Sequence, residues 1–470
     1  MTATEQPPGL RAGAGSRATA GRDVIPLRQA TRTWFAISWQ TFGGPAGQIA
    51  VMQRALVEDR RWIGQQRFNH ALSYCMLLPG PEAQQLAIYT GWLLNGTRGG
   101  LIAGTLFVLP GVLTLLALSA LYVAFGSTAA VAGVFAGLAP AVVAIVVQAV
   151  SRVAQRSLTH PLLIALAAAS FAALALFSVP FPAVIAAAAL AGWLIARYKP
   201  GALTPAAGHG DGDGPAPLIA DDALHHEQPG RRRTWRILAT GLLLWGVPVA
   251  AVAVLTGTGS VFTSQGVFFS GTALVTFGGA YAVLAFVAQQ AVQTYGWLSA
   301  KDMVSGLALA ETTPGPLIMV VQFVALLGAY HNPGGLDPWA AALLGALLTT
   351  WVTFVPCFLF IFLGAPYIER LRGNRRISAA LTGITAAVVG VIANLALYFA
   401  EHALFTTVED RTLGPLTLAL PDLTTLRPAA LAITVIAALL IFKIRWSVLR
   451  TLGVCAALGL GAALVDLPGI

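Results

Sequence analysis

Long apolar stretches separated by short polar loops dominate this chain. Two early stretches, about 30–57 and 66–95, are each interrupted near the middle by Gly and Pro residues. Uninterrupted stretches follow at about 98–125, 129–153, 160–178 and 180–197. Roughly 20 consecutive apolar residues are enough to cross a bilayer as a helix. The pattern therefore predicts an all-α polytopic membrane protein.

The pattern occurs twice. Phe42-Gly43-Gly44-Pro45 reappears as Phe277-Gly278-Gly279-Ala280, Trp62 as Trp297, and Pro79-Gly80-Pro81 as Pro314-Gly315-Pro316. The separations 277−42, 297−62 and 314−79 are all 235, and Gly137 matches Gly383 at an offset of 246. Duplicated apolar halves with interrupted helices at corresponding positions are typical of transporters built from internal repeats.

These features divide the chain into five segments. In chain order they are a basic tail that we expect to be disordered (1–26), a first repeat (27–197), a polar cytoplasmic linker (198–236), an extra transmembrane helix (237–258) and a second repeat (262–470). The interrupted and apolar stretches of the second repeat lie at about 264–294, 303–330, 338–366, 378–400, 429–446 and 448–467. We expect the linker to be mobile, since its composition cannot bury a core.

The extra helix predicts that the two repeats have inverted topology, because it makes the number of crossings before the second copy odd. This holds whether the interrupted elements cross the membrane or return as re-entrant hairpins, and hydropathy leaves both options open. Arg152, Arg156 and the arginines of the linker then fall on one side, which the positive-inside rule assigns to the cytoplasm together with the N-terminus.

Composition agrees with a membrane protein. The chain is 57% hydrophobic and 10% charged, against about 25% charged residues in soluble domains. Its net charge of +9 lies mostly in short loops, which indicates topogenic charge and no nucleic-acid partner. The isolated cysteines form no disulfide or zinc pattern, and no cofactor or metal is expected. Motifs for a hydrolase or a reductase are missing, so an enzyme is not favoured.

The interruptions predict an anion site. A half-helix that begins after a break presents unpaired N–H groups and the positive end of its dipole. Such starts follow Gly44, Gly80, Gly279 and Gly315, and inverted repeats would bring them together near the membrane midplane. Taken singly, each break is equally well a packing kink. The substrate-binding candidates are Phe42, Gly43, Gly44, Pro45, Gln48, Pro79, Gly80, Pro81, Gln84, Gln85, Phe277, Gly278, Gly279, Pro314, Gly315 and Pro316.

Ionisable residues flank the breaks. Glu82 and Glu311 are candidates for proton coupling, since an intramembrane carboxylate beside an anion could exchange a proton with it. Their structural alternatives are a helix-dipole partner for Glu82 and a position at a watery rim for Glu311. Arg60, Arg61 and Lys301 are candidates for steering anions to the mouth, or are ordinary topogenic charge.

The motif set resembles the chromate ion transporter family. The resemblance rests on Phe42-Gly43-Gly44-Pro45, on Leu78 to Gln85 with Tyr89-Thr-Gly91, and on the second-copy motifs at 277–279 and 313–316. It covers nearly the whole chain, as in the long, two-domain form of that family. It implies chromate efflux across a bacterial inner membrane, giving chromate resistance. The second copy departs from the first at Ala280 and at Leu317 to Met319, so the polar contacts are expected mainly from the first copy.

Several alternatives stay open. Sulfate or another tetrahedral oxyanion is the rival substrate, protons are a candidate coupling ion, and a homodimer is one option for assembly. Efflux of a dianion can be driven by the membrane potential, to which proton antiport would add. The His and Asp residues of the linker are read either as a solvated tether or as a metal sensor.

Overall fold

The computed structural model describes residues 24–198, 218–219, 230–277, 279–364, 375–414 and 416–465. The predicted tail up to residue 23, most of the linker with its His and Asp residues, and Gly278 lie outside these ranges. The helices of the first copy are α1 Leu27–Ser38, α2 Gly44–Gln53, α3 Gln65–Cys75, α4 Glu82–Phe125, α5 Ala129–Ser157, α6 Pro161–Ala175 and α7 Phe181–Tyr198.

After the linker, α8 spans Arg231–Thr256 and starts upstream of the predicted 237. The helices of the second copy are α9 Val261–Val275, α10 Ala280–Gln289, α11 Ala300–Thr312, α12 Val320–His331, α13 Pro338–Gly364, α14 Arg375–Leu404, α15 Pro428–Ala438 and α16 Val448–Leu464. π-helical turns extend α2 to Asp59, α10 to Thr294 and α15 to Lys443.

The protein is an all-α polytopic membrane protein, as the sequence predicts. Within the described residues, six helices are long and apolar enough to cross a bilayer: Glu82–Phe125, Ala129–Ser157, Phe181–Tyr198, Arg231–Thr256, Pro338–Gly364 and Arg376–Leu404. The first of them joins two predicted stretches, and it bends at Asn95 and Gly96, whose dihedral angles are not helical.

Both interrupted elements of the first copy fold back as hairpins. Arg60, which follows the α2 element, lines the same cleft as Pro26 and Arg28 at the start of α1. The half of α4 that follows the Pro-Gly-Pro break returns to this level too, because the Val24 N–H donates to the Leu94 carbonyl at 3.0 Å. The Asn95 amide donates to the Ile25 carbonyl at 2.6 Å. The breaks therefore lie at the tips of two adjacent hairpins.

The remaining helices form a scaffold in which helices of one copy pack on helices of the other. Gly137 on α5 lies against the backbone of Cys455 and Gly459 on α16, while its counterpart Gly383 on α14 lies against Gly192 on α7. A Cβ at these glycines would collide with backbone atoms of the other copy, so only Gly permits the close approach. Corresponding helices thus pack on the last helix of the opposite copy.

Two features lie outside the predicted pattern. An antiparallel hairpin, β1 Val408–Leu413 with β2 Leu416–Pro421, forms in the loop between the predicted stretches 378–400 and 429–446. In the linker, the Ile219 N–H donates to the Trp62 carbonyl at 3.1 Å and the Gly64 N–H donates to the Ile219 carbonyl at 3.4 Å. The expected free tether is therefore attached to the base of the first hairpins at this point.

Candidate anion-binding site

The four breaks meet in one place through reciprocal backbone hydrogen bonds. The Gly80 N–H donates to the Thr276 carbonyl at 2.8 Å, and the Gly315 N–H donates to the Thr41 carbonyl at 3.0 Å. Both donors and acceptors correspond at the offset of 235. Each Pro-Gly-Pro break is therefore held by the Thr that precedes the Gly-Gly break of the other copy. We call this place the junction, comprising residues 41–45, 79–82, 276, 277, 279, 280 and 313–317.

Helix N-termini face the junction without side-chain caps. α2 begins at Gly44 after Gly43, α4 begins at Glu82 after Pro81, and α10 begins at Ala280 after Gly279. A 3₁₀ turn, Leu317–Met319, follows Pro316 and leads into α12, and it also lacks a side-chain cap. The first N–H groups of a helix have no intrahelical partner, and the dipole adds positive potential there. The arrangement suits an anion without any basic side chain.

Gly80 shows why the tips need glycine. Its φ is 117°, a region that residues with a Cβ rarely adopt. A Cβ would also lie 2.9 Å from the Cys357 Sγ and 2.9 Å from the Gln85 Nε2. The corresponding Gly315 has φ 98°, but a Cβ there would meet the Gly111 backbone at 3.4 Å, an ordinary contact. The first-copy tip is thus the tighter of the two.

Two of the candidate glutamines hold the hairpin tips through hydrogen bonds, and the third has a side-chain amide without a partner. The Gln48 Nε2 donates to the Gly315 carbonyl at 2.6 Å, and the Gln85 Nε2 donates to the Pro79 carbonyl at 2.6 Å. Both therefore hold the tips in place. Gln84 is fully buried, and neither its Nε2 nor its Oε1 has a hydrogen-bond partner. A buried amide without partners is costly unless a ligand satisfies it. Of the three, Gln84 is the one free to bind.

Glu311 lies deep in the protein and carries a partner that the sequence did not reveal. Its side chain is 2% exposed, and its Oε1 accepts a short hydrogen bond from the Tyr281 hydroxyl, while Oε2 has no partner. A Cβ on Gly44 would lie 4.0 Å from that hydroxyl oxygen. The charge of Arg152, on α5, reaches both Glu311 and Tyr281. The watery-rim alternative for Glu311 does not fit this burial.

Sequence reasoning missed Tyr281, Arg152 and the two threonines. Tyr281 occupies the first turn after the second Gly-Gly break, and Thr41 and Thr276 correspond at the same offset of 235, so the repeat itself held the signal. The sequence indicates only topogenic charge for Arg152, because the effect of its charge on Glu311 depends on how α5 packs.

Glu82 has a different setting. It is half-buried and is the first residue of α4, where a carboxylate faces the positive end of the helix dipole. The charge of Arg156 reaches it. This placement agrees with the helix-dipole alternative and does not by itself require a proton.

The remaining candidates lie at or beyond the edge of the junction. Phe42 and Phe277 are half-buried beside the breaks, and the side chains of Arg60, Arg61 and Lys301 are exposed and outside it. Two clefts flank the junction, and neither is lined by its residues. One of ≈ 360 Å³ carries Arg28, Arg32 and Arg60; one of ≈ 260 Å³ is lined by residues of α6, α7, α10, α14 and β2. Within the described residues no cluster of His, Cys, Asp or Glu could hold a metal ion.

Comparison with known proteins agrees with the repeat. The family model described as "Chromate transporter" matches residues 28–193 and 264–460, that is, both copies. The chromate transport protein of Pseudomonas aeruginosa is 33% identical over 358 residues, covering 75% of this chain and 76% of that protein. The chromate transport protein of Cupriavidus metallidurans is 28% identical over 419 residues, covering 85% and 88%. The probable chromate transport protein of Synechococcus elongatus is 26% identical over 380 residues, covering 80% and 86%. No solved structure matches the chain.

Proposed function

Because this chain belongs to the chromate transporter family, we propose that it exports chromate from the cytoplasm through the junction. The observation that carries the proposal is the reciprocal pairing of Gly80 with Thr276 and of Gly315 with Thr41. This pairing gathers uncapped helix N-termini from both copies around one place. The geometry supports the binding of an anion and its release on the other side of the membrane, which is the work of a transporter and not of an enzyme.

Chromate fits the chemistry of the junction. A tetrahedral dianion accepts hydrogen bonds on every face, and the junction offers backbone N–H groups and the amide of Gln84. These neutral donors bind the anion through hydrogen bonds and form no direct ion pair with it, which favours release. Sulfate has the same shape and charge. It is the rival substrate, and the relatives, which are named for chromate, do not favour it.

We propose that the two copies enter the membrane from opposite faces. The second part of α4 leaves the base of the first hairpins at Gly96 and ends near Tyr122, whose hydroxyl donates to the Asp302 Oδ1 at 2.5 Å. Asp302 lies in the first turn of α11, at the base of the second Pro-Gly-Pro hairpin. At 1.5 Å per residue, 26 helical residues cover about 39 Å, close to the full thickness of a bilayer. Rocking of one copy against the other would then expose the junction to each side in turn.

The basic residues support an orientation. Arg28, Arg32 and Arg60 lie at the base of the first hairpins, and Arg156 lies at the end of α5 that returns to this side. The positive-inside rule makes this the cytoplasmic face of a bacterial inner membrane, with a cytoplasmic N-terminus. Arg60 and Arg61 would then draw anions from the cytoplasm, whereas Lys301 would lie on the opposite face.

The membrane potential gives the transport its direction. Moving a dianion across 100 mV is worth about 4.6 kcal/mol, and with a negative interior this favours export. The sequence predicts that a proton is exchanged for the anion through Glu82 or Glu311. The surroundings of the two carboxylates differ, so the two are separate candidates for proton coupling.

Chromate uptake into inverted membrane vesicles tests the proposal. A potential that is positive inside should drive uptake, and Gly80→Leu should abolish it, because the substituent cannot fit beside Cys357. An excess of sulfate should inhibit weakly. Uptake of sulfate in place of chromate would move the function to sulfate, and the absence of flux for both anions would refute export through the junction.

A further inference from the structure

Glu311 stands where a transported anion would be bound. Gly315, four residues after it, is bonded to Thr41 and Gln48, which lie just before and one turn inside the start of α2. Its partner Tyr281 places a hydroxyl beside Gly44, the first residue of α2. Tyr281, which donates to Glu311, and Gly315, which follows it, thus place the Glu311 carboxylate near the positive end of α2.

The start of α2 has room for a ligand. Gly43 precedes it with φ 81°, and a Cβ built there would meet no atom within 4 Å. The helix has no side-chain cap. Close by, Glu311 leaves Oε2 unpaired although it is buried. An uncapped N-terminus, an open space and an unsatisfied buried carboxylate oxygen together describe an anion site with a resident carboxylate.

The groups that face Glu311 control its charge. Tyr281 on α10 donates a hydrogen bond to it, and Arg152 on α5 supplies a positive charge; these are the ionisable groups of the described residues that act on it. Its own helix opposes the charge, because Glu311 lies in the last turn of α11, at the negative end of that dipole. An arriving dianion would share Tyr281, Arg152 and the start of α2 with the carboxylate. Two such negative groups cannot occupy one low-dielectric site.

We propose that Glu311 is a tethered anion that occupies the site at the start of α2 when ionised and admits the oxyanion only when protonated. This rests on the proposed function. Since the proton and the anion are bound at the same time, they cross together. The coupled proton therefore travels outward with chromate, opposite to the antiport that the sequence suggested. Glu82, outside this arrangement, takes no part in the coupling.

The charge moved per cycle distinguishes this scheme. One proton with one chromate carries a single negative charge, whereas chromate alone carries two. In inverted vesicles at 100 mV, positive inside, and with equal pH on both sides, the wild-type protein should accumulate chromate about 50-fold. Glu311→Gln, which needs no proton, should accumulate it about 2,000-fold.

A pH electrode in the outer medium measures the same coupling directly. Wild-type uptake should make the medium alkaline as protons enter with chromate, and Glu311→Gln should abolish this change. Chromate takes up a proton itself, but that titration is common to both proteins and cancels in the comparison. Glu401→Gln, which alters a buried carboxylate lining the other cleft, is the matched control and should behave as the wild type.

Binding gives a readout that does not depend on flux. Stabilisation of the purified protein by chromate, followed as the shift in its thermal transition, should reveal a wild-type affinity that falls about tenfold per pH unit once Glu311 ionises, beyond the change seen in Glu311→Gln. Tyr281→Phe removes a donor that the ionised carboxylate and the oxyanion share; it should lower the affinity at low pH and move the pH-dependent fall to higher pH.

Three results would overturn the inference: acidification of the medium during wild-type uptake, equal accumulation by wild type and Glu311→Gln, or an unchanged pH dependence of binding in Glu311→Gln. Absence of chromate flux and binding in the wild type would instead refute the proposed function itself.

Discussion

The two copies present the same backbone to the junction and different side chains. In the first copy the fully buried polar side chains near the breaks include the amides of Gln48 and Gln84, and the carboxylate of Glu82 is only half-buried. In the second copy a phenol and a carboxylate, Tyr281 and Glu311, lie near the breaks. The counterparts at the offset of 235 are Ala46 for Tyr281 and Met76 for Glu311, which cannot bind a proton.

This difference teaches which part of a duplicated site must be kept. The glycines and the threonine carbonyls create the crossed contacts, so both copies need them. The side chains only have to supply donors and one removable charge, and a single copy suffices for each. We therefore assign anion recognition mainly to the first copy and proton coupling to the second, and the experiments below challenge this division.

The largest effect is expected from an alanine at the tip of the first copy. Gly80→Ala forces a Cβ to within 2.9 Å of the Cys357 Sγ at φ 117°. Gly315→Ala faces a milder contact of 3.4 Å at φ 98°. We expect chromate uptake per molecule to fall more than tenfold in Gly80→Ala and only a fewfold in Gly315→Ala, measured in inverted vesicles.

Two further variants test whether steric contact at Gly80 causes the loss of flux. Cys357→Ala in the Gly80→Ala background removes the sulfur and should restore part of the flux, since the contact with the Gln85 Nε2 and the backbone strain remain. Gly246→Ala is the control, because no atom lies within 4 Å of its Cβ position in α8, and it should transport normally. Equal losses at Gly80 and Gly315 would show that packing does not distinguish the tips.

An intermediate effect is expected at the free amide of the first copy. Gln84→Leu removes two buried polar atoms that have no partner, so the protein should keep or gain stability, by about 1 kcal/mol. The same change should weaken chromate binding at least tenfold, because the oxyanion loses its donor. Thermal unfolding without ligand and chromate binding separate the two quantities.

Gln265→Leu provides the matched comparison. Gln265 is equally buried, but its Nε2 donates to the Ala325 carbonyl at 3.0 Å and it lies in α9, away from the breaks. Its loss removes this hydrogen bond and should reduce stability by about 1 kcal/mol, with little change in chromate affinity. If Gln84→Leu instead resembled Gln265→Leu, the first copy would not supply recognition through Gln84.

Much of this architecture is visible in the sequence for a physical reason. Apolar length predicts spanning helices, and Gly and Pro mark the interruptions, because both effects are local to the chain. The offset of 235 between Gly80 and Gly315 even predicts that the tips correspond. The boundary between the predicted stretches 66–95 and 98–125 likewise falls where α4 departs from helical geometry, at Asn95 and Gly96.

The chemistry of the site was less accessible from the sequence. Tyr281 and Arg152 are 129 positions apart, and only the packing of α5 against α11 brings the arginine to Glu311. Gln48 and Gln84 are equivalent candidates in the sequence, yet the Gln48 amide donates to the Gly315 carbonyl and the Gln84 amide has no hydrogen-bond partner. Which amide finds a partner depends on the tertiary fold. The hairpin of β1 and β2 was missed because its loop carries acidic residues without clear alternation.

The smallest effect is expected from the crossed contacts themselves. The Thr41 Oγ1 lies 3.2 Å from the Gly315 nitrogen and reinforces the bond made by its own carbonyl. The Thr276 hydroxyl instead donates to the Thr272 carbonyl at 2.7 Å and takes no part in holding Gly80. Thr41→Val should therefore destabilise the junction by about 1 kcal/mol more than Thr276→Val, although the two positions correspond in the repeat.

Faster hydrogen exchange of the Gly315 amide in Thr41→Val than in the wild type, with the Gly80 amide unchanged, would register this loss, since Gly315 alone loses an acceptor. Thr276→Val should leave both amides as in the wild type, because the carbonyl that accepts from Gly80 belongs to the backbone. Chromate flux should change less than twofold in either variant. Exchange of the Gly315 amide that Thr41→Val leaves unchanged would mean that the Thr41 hydroxyl adds nothing to this contact, and the division between the copies would then rest on Gln84, Tyr281 and Glu311 alone.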